Sequence, residues 1–147
     1  MRRRFYAFDI VRALIIGPWD NQKEADRANE LRAMIDWFID GKPIYVRPER
    51  EKGTRAILAR LDPSNDEVWE FRSLKPRPSI RIFGTFIAKN VFIASNWAKR
   101  PALGAKNSEE WSDAIGQFKT VWEDCFSSFE PLHGSYPDDY LSHARFI

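Results

Sequence analysis

Two adjoining runs constrain this chain most. Residues 79–88 and 90–97 are apolar at nearly every position, and only the step Lys89-Asn90 parts them. A strand with one wet face alternates apolar and polar residues. Runs of strand length without alternation belong to central strands covered on both faces. Lys89-Asn90 then reads as a hairpin connection. A third strand-like run, residues 67–74, lies just upstream, and Lys75-Pro76-Arg77-Pro78 forms a second connection.

Helical spacing flanks these strands. Asn21 and Glu24 form a capping-box pair, with asparagine in place of serine or threonine. Ala25, Ala28, Leu31, Ile35 and Phe38 follow at helical intervals, and Gly41 stands where a C-cap glycine belongs, so a helix is expected over 21–40. A second capping pair, Asn107 and Glu110, opens a stripe of Trp111, Ile115, Phe118, Trp122, Cys125 or Phe126, and Phe129, ended by Pro131. This stripe reads as core packing, and Cys125 on it as a packed residue rather than a nucleophile. Residues 4–16 are apolar with few breaks until Gly17-Pro18 stops them, and a strand is expected at about 4–12. Ile44-Tyr45-Val46 reads as a short strand closed by Pro48. Ile57, Leu58 and Leu61 read as a short helix before the turn 62–66. Residues 131–147 show no period and read as an irregular tail.

At 147 residues the chain is expected to be one domain, 1–147. A hydrophobic fraction of 44%, with 14% aromatic, supplies its core and excludes disorder. No apolar run approaches the roughly 18 residues of a membrane span. Met1–Arg4 and the apolar residues behind them have the outline of a secretory leader. Asp9 and Arg12 interrupt that run and no small-residue cleavage site follows, so it reads as the first structural element. The single cysteine makes no internal disulfide, which fits a cytoplasmic setting.

The net charge of +2 hides an asymmetry. Residues 70–106 hold eight basic residues and one acidic, Glu70, for +7; residues 107–147 hold two basic and eight acidic, for −6. A basic middle of this kind suits a polyanion, with a solvated surface as the alternative. The acidic end could also fold over the basic segment. There is no phosphate-binding glycine loop, no dinucleotide fingerprint, no nucleophile elbow and no paired Cys/His zinc spacing.

The register of the first hairpin carries the chemistry. A four-residue loop, 75–78, pairs Leu74 with Ser79, which sets Arg72 opposite Arg81 and Glu70 opposite Phe83. Side chains alternate between faces, so Glu70, Arg72 and Arg81 share one. Two arginines directly opposed cost stability. A site that tolerates them suits an anion, since guanidinium forks match phosphate oxygens. Glu70 then stands beside them as a salt-bridge partner or a proton acceptor. Lys99 and Arg100 follow the last strand, where side chains reach toward ligands. His133, His143, Tyr136 and Tyr140 in the tail are further acid/base candidates.

The order of these features resembles the RelE/HigB/ParE superfamily of bacterial toxins. Its strand ending in an "E-L-R"-like motif corresponds to Trp69-Glu70-Phe71-Arg72. Its strand beginning with an arginine corresponds to Ile80-Arg81-Ile82-Phe83. An apolar strand, Val91-Phe92-Ile93, and a basic pair, Lys99-Arg100, complete the order. The resemblance implies an α+β fold: a twisted, mainly antiparallel sheet of about four or five strands, with N-terminal helices and a C-terminal helix packed on it. It implies the toxin of a type II toxin-antitoxin system, a ribosome-dependent mRNA endonuclease held in check by a cognate antitoxin. The chemistry needs no metal or cofactor: the ribose 2′-hydroxyl attacks the adjacent phosphate. By resemblance Arg81 sits at the phosphate, Arg72 supports it, Glu70 is the candidate base, and Lys99 and Arg100 hold RNA backbone; Lys75 and Arg77 on the connecting loop are further RNA-binding candidates. The tyrosine or histidine that several relatives carry after the basic pair has no counterpart in 101–110, so the general acid is unassigned. The alternatives are a non-catalytic binder on the same scaffold, either a ParE-like gyrase inhibitor or an orphan phage-derived interaction protein. Oligomeric state is left open.

Overall fold

The three-dimensional structure, a computed structural model, describes residues 2–47, 56–73, 75–105 and 107–146. Strand β1 (Arg4–Ala7) is followed by helices α1 (Asp9–Ile16) and α2 (Gln22–Ile39), then by strands β2 (Ile44–Arg47), β3 (Leu58–Arg60), β4 (Trp69–Arg72), β5 (Ile80–Ala88) and β6 (Val91–Lys99). Helix α3 (Glu109–Phe126), a single turn α4 (Pro137–Tyr140) and strand β7 (Ala144–Phe146) complete the order. The described strands form one sheet in the order β1-β6-β5-β4-β3-β2-β7. Neighbours pair parallel at β1/β6, β2/β3 and β2/β7, and antiparallel at β3/β4, β4/β5 and β5/β6. The fold is α+β, but the sheet has seven described strands and is mixed, where four or five mainly antiparallel ones were expected.

The β5/β6 hairpin stands at its centre and is covered on both faces, as its lack of alternation required. On one face Val11 and Leu14 of α1 and Leu31, Ile35 and Phe38 of α2 pack on Phe71, Ile82, Phe92 and Ala94. Phe71 meets Phe5 and Phe38 edge to face, with centroids 5.8 and 5.9 Å apart, the favoured aromatic geometry. On the other face Trp111, Phe118 and Trp122 of α3 pack on Phe83 and Ile93. Asn90 turns the hairpin in the left-handed region (φ 67°), which asparagine tolerates. At Gly84 a Cβ would lie 2.2 Å from the Ile93 carbonyl oxygen. The register slips there, with Ser95 as the extra residue, and only glycine permits so close an approach.

Helix α2 forms where its spacing placed it, with Asn21 Oδ1 accepting from Glu24 N at 3.0 Å and Gly41 at φ 74° just beyond its end. Elsewhere the expectations need correction. Residues 9–16 are helical rather than a continuation of the first strand: the acidic Asp9 opens the turn and Val11 and Leu14 fall on one helical face. Residues 58–60 are a strand rather than a helix, because Leu58 and Ala59 are buried between β2 and β4, a setting local spacing does not reveal. The cap of α3 is Ser108, whose hydroxyl accepts from Trp111 N, while Asn107 one residue earlier takes φ 63°. Phe126 rather than Cys125 completes the helical stripe, and Cys125 and Phe129 are exposed. The expected stop at Pro48 and the Leu74–Ser79 pairing lie outside the described residues.

The tail is ordered, not irregular. β7 adds to the free side of β2, and Tyr140 and Leu141 are fully buried. The Tyr140 hydroxyl donates to the Glu67 carboxylate and accepts from Gly134 N at 2.8 Å. Arg60 Nη1 lies 2.7 Å from Glu67 Oε1 and 2.9 Å from the hydroxyl. Arg3, also buried, donates to the carbonyls of Phe38, Lys42 and Ser142 and so ties the end of α2 to the tail; burial pushes its guanidinium pKa down. No helix among the described residues is long and apolar enough to cross a membrane.

Candidate functional site

The β4/β5 hairpin has the register its loop length implied: Glu70 faces Phe83 and Arg72 faces Arg81. Trp69 and Phe71 point into the core under α1 and α2, so alternation sends Glu70, Arg72 and Arg81 to the opposite face. There the carboxylate lies under the guanidiniums. Glu70 Oε1 accepts from Arg72 Nε at 2.8 Å and Nη2 at 2.6 Å, and Oε2 is 3.6 Å from Arg81 Nε. The Glu70 side chain is 0% exposed, against 11% for Arg72 and 15% for Arg81. Arg81 Nη1 also donates to Ser79 Oγ at 3.0 Å. A shared buried counter-ion is what lets two like charges oppose each other on neighbouring strands.

Above them opens a cleft of about 630 Å³. It is lined by four arginines, Arg72, Arg77, Arg81 and Arg100, with the hydroxyl-bearing Ser73 and Ser79. The four arginines come from three local causes. Arg72 and Arg81 are set by register. Arg77 rides between Pro76 and Pro78 on the connecting loop. Arg100 leaves the end of β6, where its backbone N–H donates to the Ser79 carbonyl at 2.8 Å. Its Nη1 donates to the Gly104 carbonyl at 2.7 Å, and its guanidinium lies 5.4 Å from the centre of the Trp111 ring, a cation–π contact that holds it in place.

Other expected site residues stand elsewhere. Lys99 points to the opposite face of β6, where Nζ is 3.0 Å from Glu24 Oε1. That carboxylate also takes Arg27 Nη1 at 2.6 Å, and the Arg27 hydrogen bond, then the Lys99 one, holds the Glu24 carboxyl below its usual range. Lys75 is exposed on the loop and does not line the cleft. His133, His143 and Tyr136 are exposed, Tyr140 is buried in the core, and none of the four lines the cleft. The tail therefore does not fold over the arginines. Trp111, read only as core, also serves as the platform for Arg100. The partner lies eleven residues away across the turn 100–103, beyond the reach of helical spacing.

Four guanidiniums against one buried carboxylate make a strongly anion-attracting site. Their forks and the two hydroxyls suit the oxygens of a phosphodiester. The same groups would stabilise charge that develops on those oxygens. Glu70 holds the forks from beneath and is sealed from solvent. The described lining residues include no carboxylate, imidazole or phenol. Compared with protein-family models, with curated proteins and with solved structures, the chain finds no match in any of the three.

Proposed function

We propose that the cleft binds the backbone phosphate of single-stranded RNA, and that the protein is a RelE/HigB-type toxin that cuts mRNA on the ribosome and is neutralised by a cognate antitoxin in the cytoplasm. The observation that carries this reading is the directly opposed pair Arg72 and Arg81, held by one buried carboxylate at the floor of an arginine-lined cleft. The order of elements supports it as well. A first strand, two helices, a three-stranded β4-β5-β6 unit and a long helix follow one another as the superfamily resemblance implies, with β2, β3 and β7 as an added edge. In the reaction the 2′-hydroxyl oxygen bonds to phosphorus and the bond to the 5′-oxygen breaks, leaving a cyclic phosphate. Arg81 and Arg72 stabilise the pentacoordinate oxyanion. A base takes the 2′ proton and an acid protonates the 5′-oxygen. Glu70, buried beneath the guanidiniums, is assigned to positioning them rather than to accepting that proton.

The same lining favours one second reading. A cleft of guanidiniums and hydroxyls, without a described proton acceptor, suits a binder that does not cut: a gyrase-inhibiting relative or an orphan interaction protein. Tightly controlled expression in bacteria, wild type against Arg81→Ala, with new RNA 5′ ends mapped in the cell, separates these. The expected result is growth arrest with breaks inside translated mRNA, both lost in the variant. Arrest without RNA breaks supports the gyrase-type binder. Neither arrest nor breaks overturns the toxin reading.

A further inference from the structure

The end of β6 lies between two sites: its last residue, Lys99, faces the α1/α2 side, and the turn that follows begins at Arg100. Arg100 goes to the phosphate cleft, while Lys99 goes to a separate pocket of about 500 Å³ on the α1/α2 face. That pocket lies between the end of α1, the start of α2 and the last residues of β6. Two indoles, Trp19 and Trp97, line it together with Asp20, Asn21, Glu24 and Lys99.

The Trp19 ring is built into place. Its Nε1 donates to the Leu14 carbonyl at 3.0 Å, and its six-membered ring lies against Gly17, where a Cβ would come within 2.9 Å of it. Gly17 also sits at φ 84°, so both the turn and the ring position require glycine. The polar groups divide into spent and unspent. Glu24 is committed to Arg27 and Lys99, and Asn21 Oδ1 caps α2. The exposed Asp20 carboxylate makes no ion pair among the described residues, which leaves it to accept, and the Asn21 amide N–H₂ and Lys99 remain to donate.

We propose that this pocket is a nucleobase site selective for guanine, separate from the arginine cleft on the other face of the sheet. Two carboxylates at the pocket, Asp20 and Glu24, repel phosphate, so an uncharged base enters in preference to a charged backbone. Unstacked bases of single-stranded RNA are held by stacking on aromatic rings and read on their Watson–Crick edges. Guanine presents two adjacent donors, N1–H and N2–H, which match one carboxylate, with O6 beside them to accept from Asn21 or Lys99. Adenine and cytosine offer a single exocyclic amine on that edge, and uracil a single ring N–H.

The test uses guanosine, which carries no phosphate and so bypasses the cleft, alongside adenosine and uridine. Each is titrated into the intact protein and followed by tryptophan fluorescence and by indole N–H NMR shifts. Guanosine is expected to bind on the order of tenfold tighter than uridine. Asp20→Asn, a change at an exposed side chain, is expected to bring guanosine down to the level of adenosine with an unchanged melting temperature. Equal binding of the three nucleosides, or a guanosine preference that survives in Asp20→Asn, overturns the proposal. A parallel titration with oligouridylate reports on the cleft alone. If it binds while guanosine does not, the subsite falls and the cleft reading stands; if guanosine binds while oligouridylate does not, the subsite stands and the cleft reading falls.

Discussion

Glu70 shows how one side chain decides what a pair of like charges can do. Its carboxylate touches Arg72 through two nitrogens and faces Arg81, with no exposure to solvent. Removing it leaves two poorly exposed guanidiniums opposed without a counter-ion. Breaking a buried ion pair by deleting one partner costs about 3–5 kcal/mol, so Glu70→Ala is expected to lower unfolding free energy by about that amount, read from the urea midpoint. A loss below about 1 kcal/mol would mean that the carboxylate is not the counter-ion of these arginines. That Glu70 shares a face with Arg72 and Arg81 was legible in the sequence, because a four-residue loop fixes register and register fixes faces. Its complete burial was not, since burial depends on what packs around the strand.

At the scale of elements, the segments read correctly are those whose signals are local. Helix α2 carries its own cap and stripe, and β5 and β6 carry long apolar runs. Short segments were misread where a neighbour decides their conformation. Residues 58–60 become a strand because β2 and β4 flank them, and the tail becomes ordered because it completes the core at Tyr140 and Leu141. Tyr140 yields a pH signature. Burial first, then its hydrogen bond to Glu67, pushes the phenol pKa well above the ordinary value of 10. A group raised in the folded state adds stability below its unfolded pKa and loses it as pH rises toward the folded one. Wild type is therefore expected to lose stability above about pH 10 more steeply than Tyr140→Phe, which lacks the ionisable group. Urea midpoints of the two proteins from about pH 8 to 11 check this. Parallel curves would mean that the tyrosine does not anchor the tail.

Across the whole molecule, the fold separates the charges that the chain carries in sequence. The arginines gather at the loop end of the β4/β5 hairpin. The acidic C-terminal part contributes α3 and a tail that closes on β2, leaving the cleft open. Each phosphate neutralised on a single strand contributes about −0.7 to the slope of log affinity against log salt. Four arginines engaged together imply a slope of about −3 for oligouridylate, and Arg81→Ala a slope shallower by about 0.7. Filter binding over a range of salt concentrations measures both, and a slope near zero would rule out the cleft as an electrostatic site. The sequence by itself determined the central hairpins, the helix over 21–40, the register that opposes Arg72 and Arg81, and the basic character of the middle, because each follows from periodicity, capping or counting within a few residues. Only the tertiary structure decided that Arg77 and Arg100 join those two while Lys99 turns away, that Glu70 is sealed beneath them, and that the tail belongs to the core. These depend on which surfaces meet across the sheet, and that is a property of distant segments packed together rather than of any one of them.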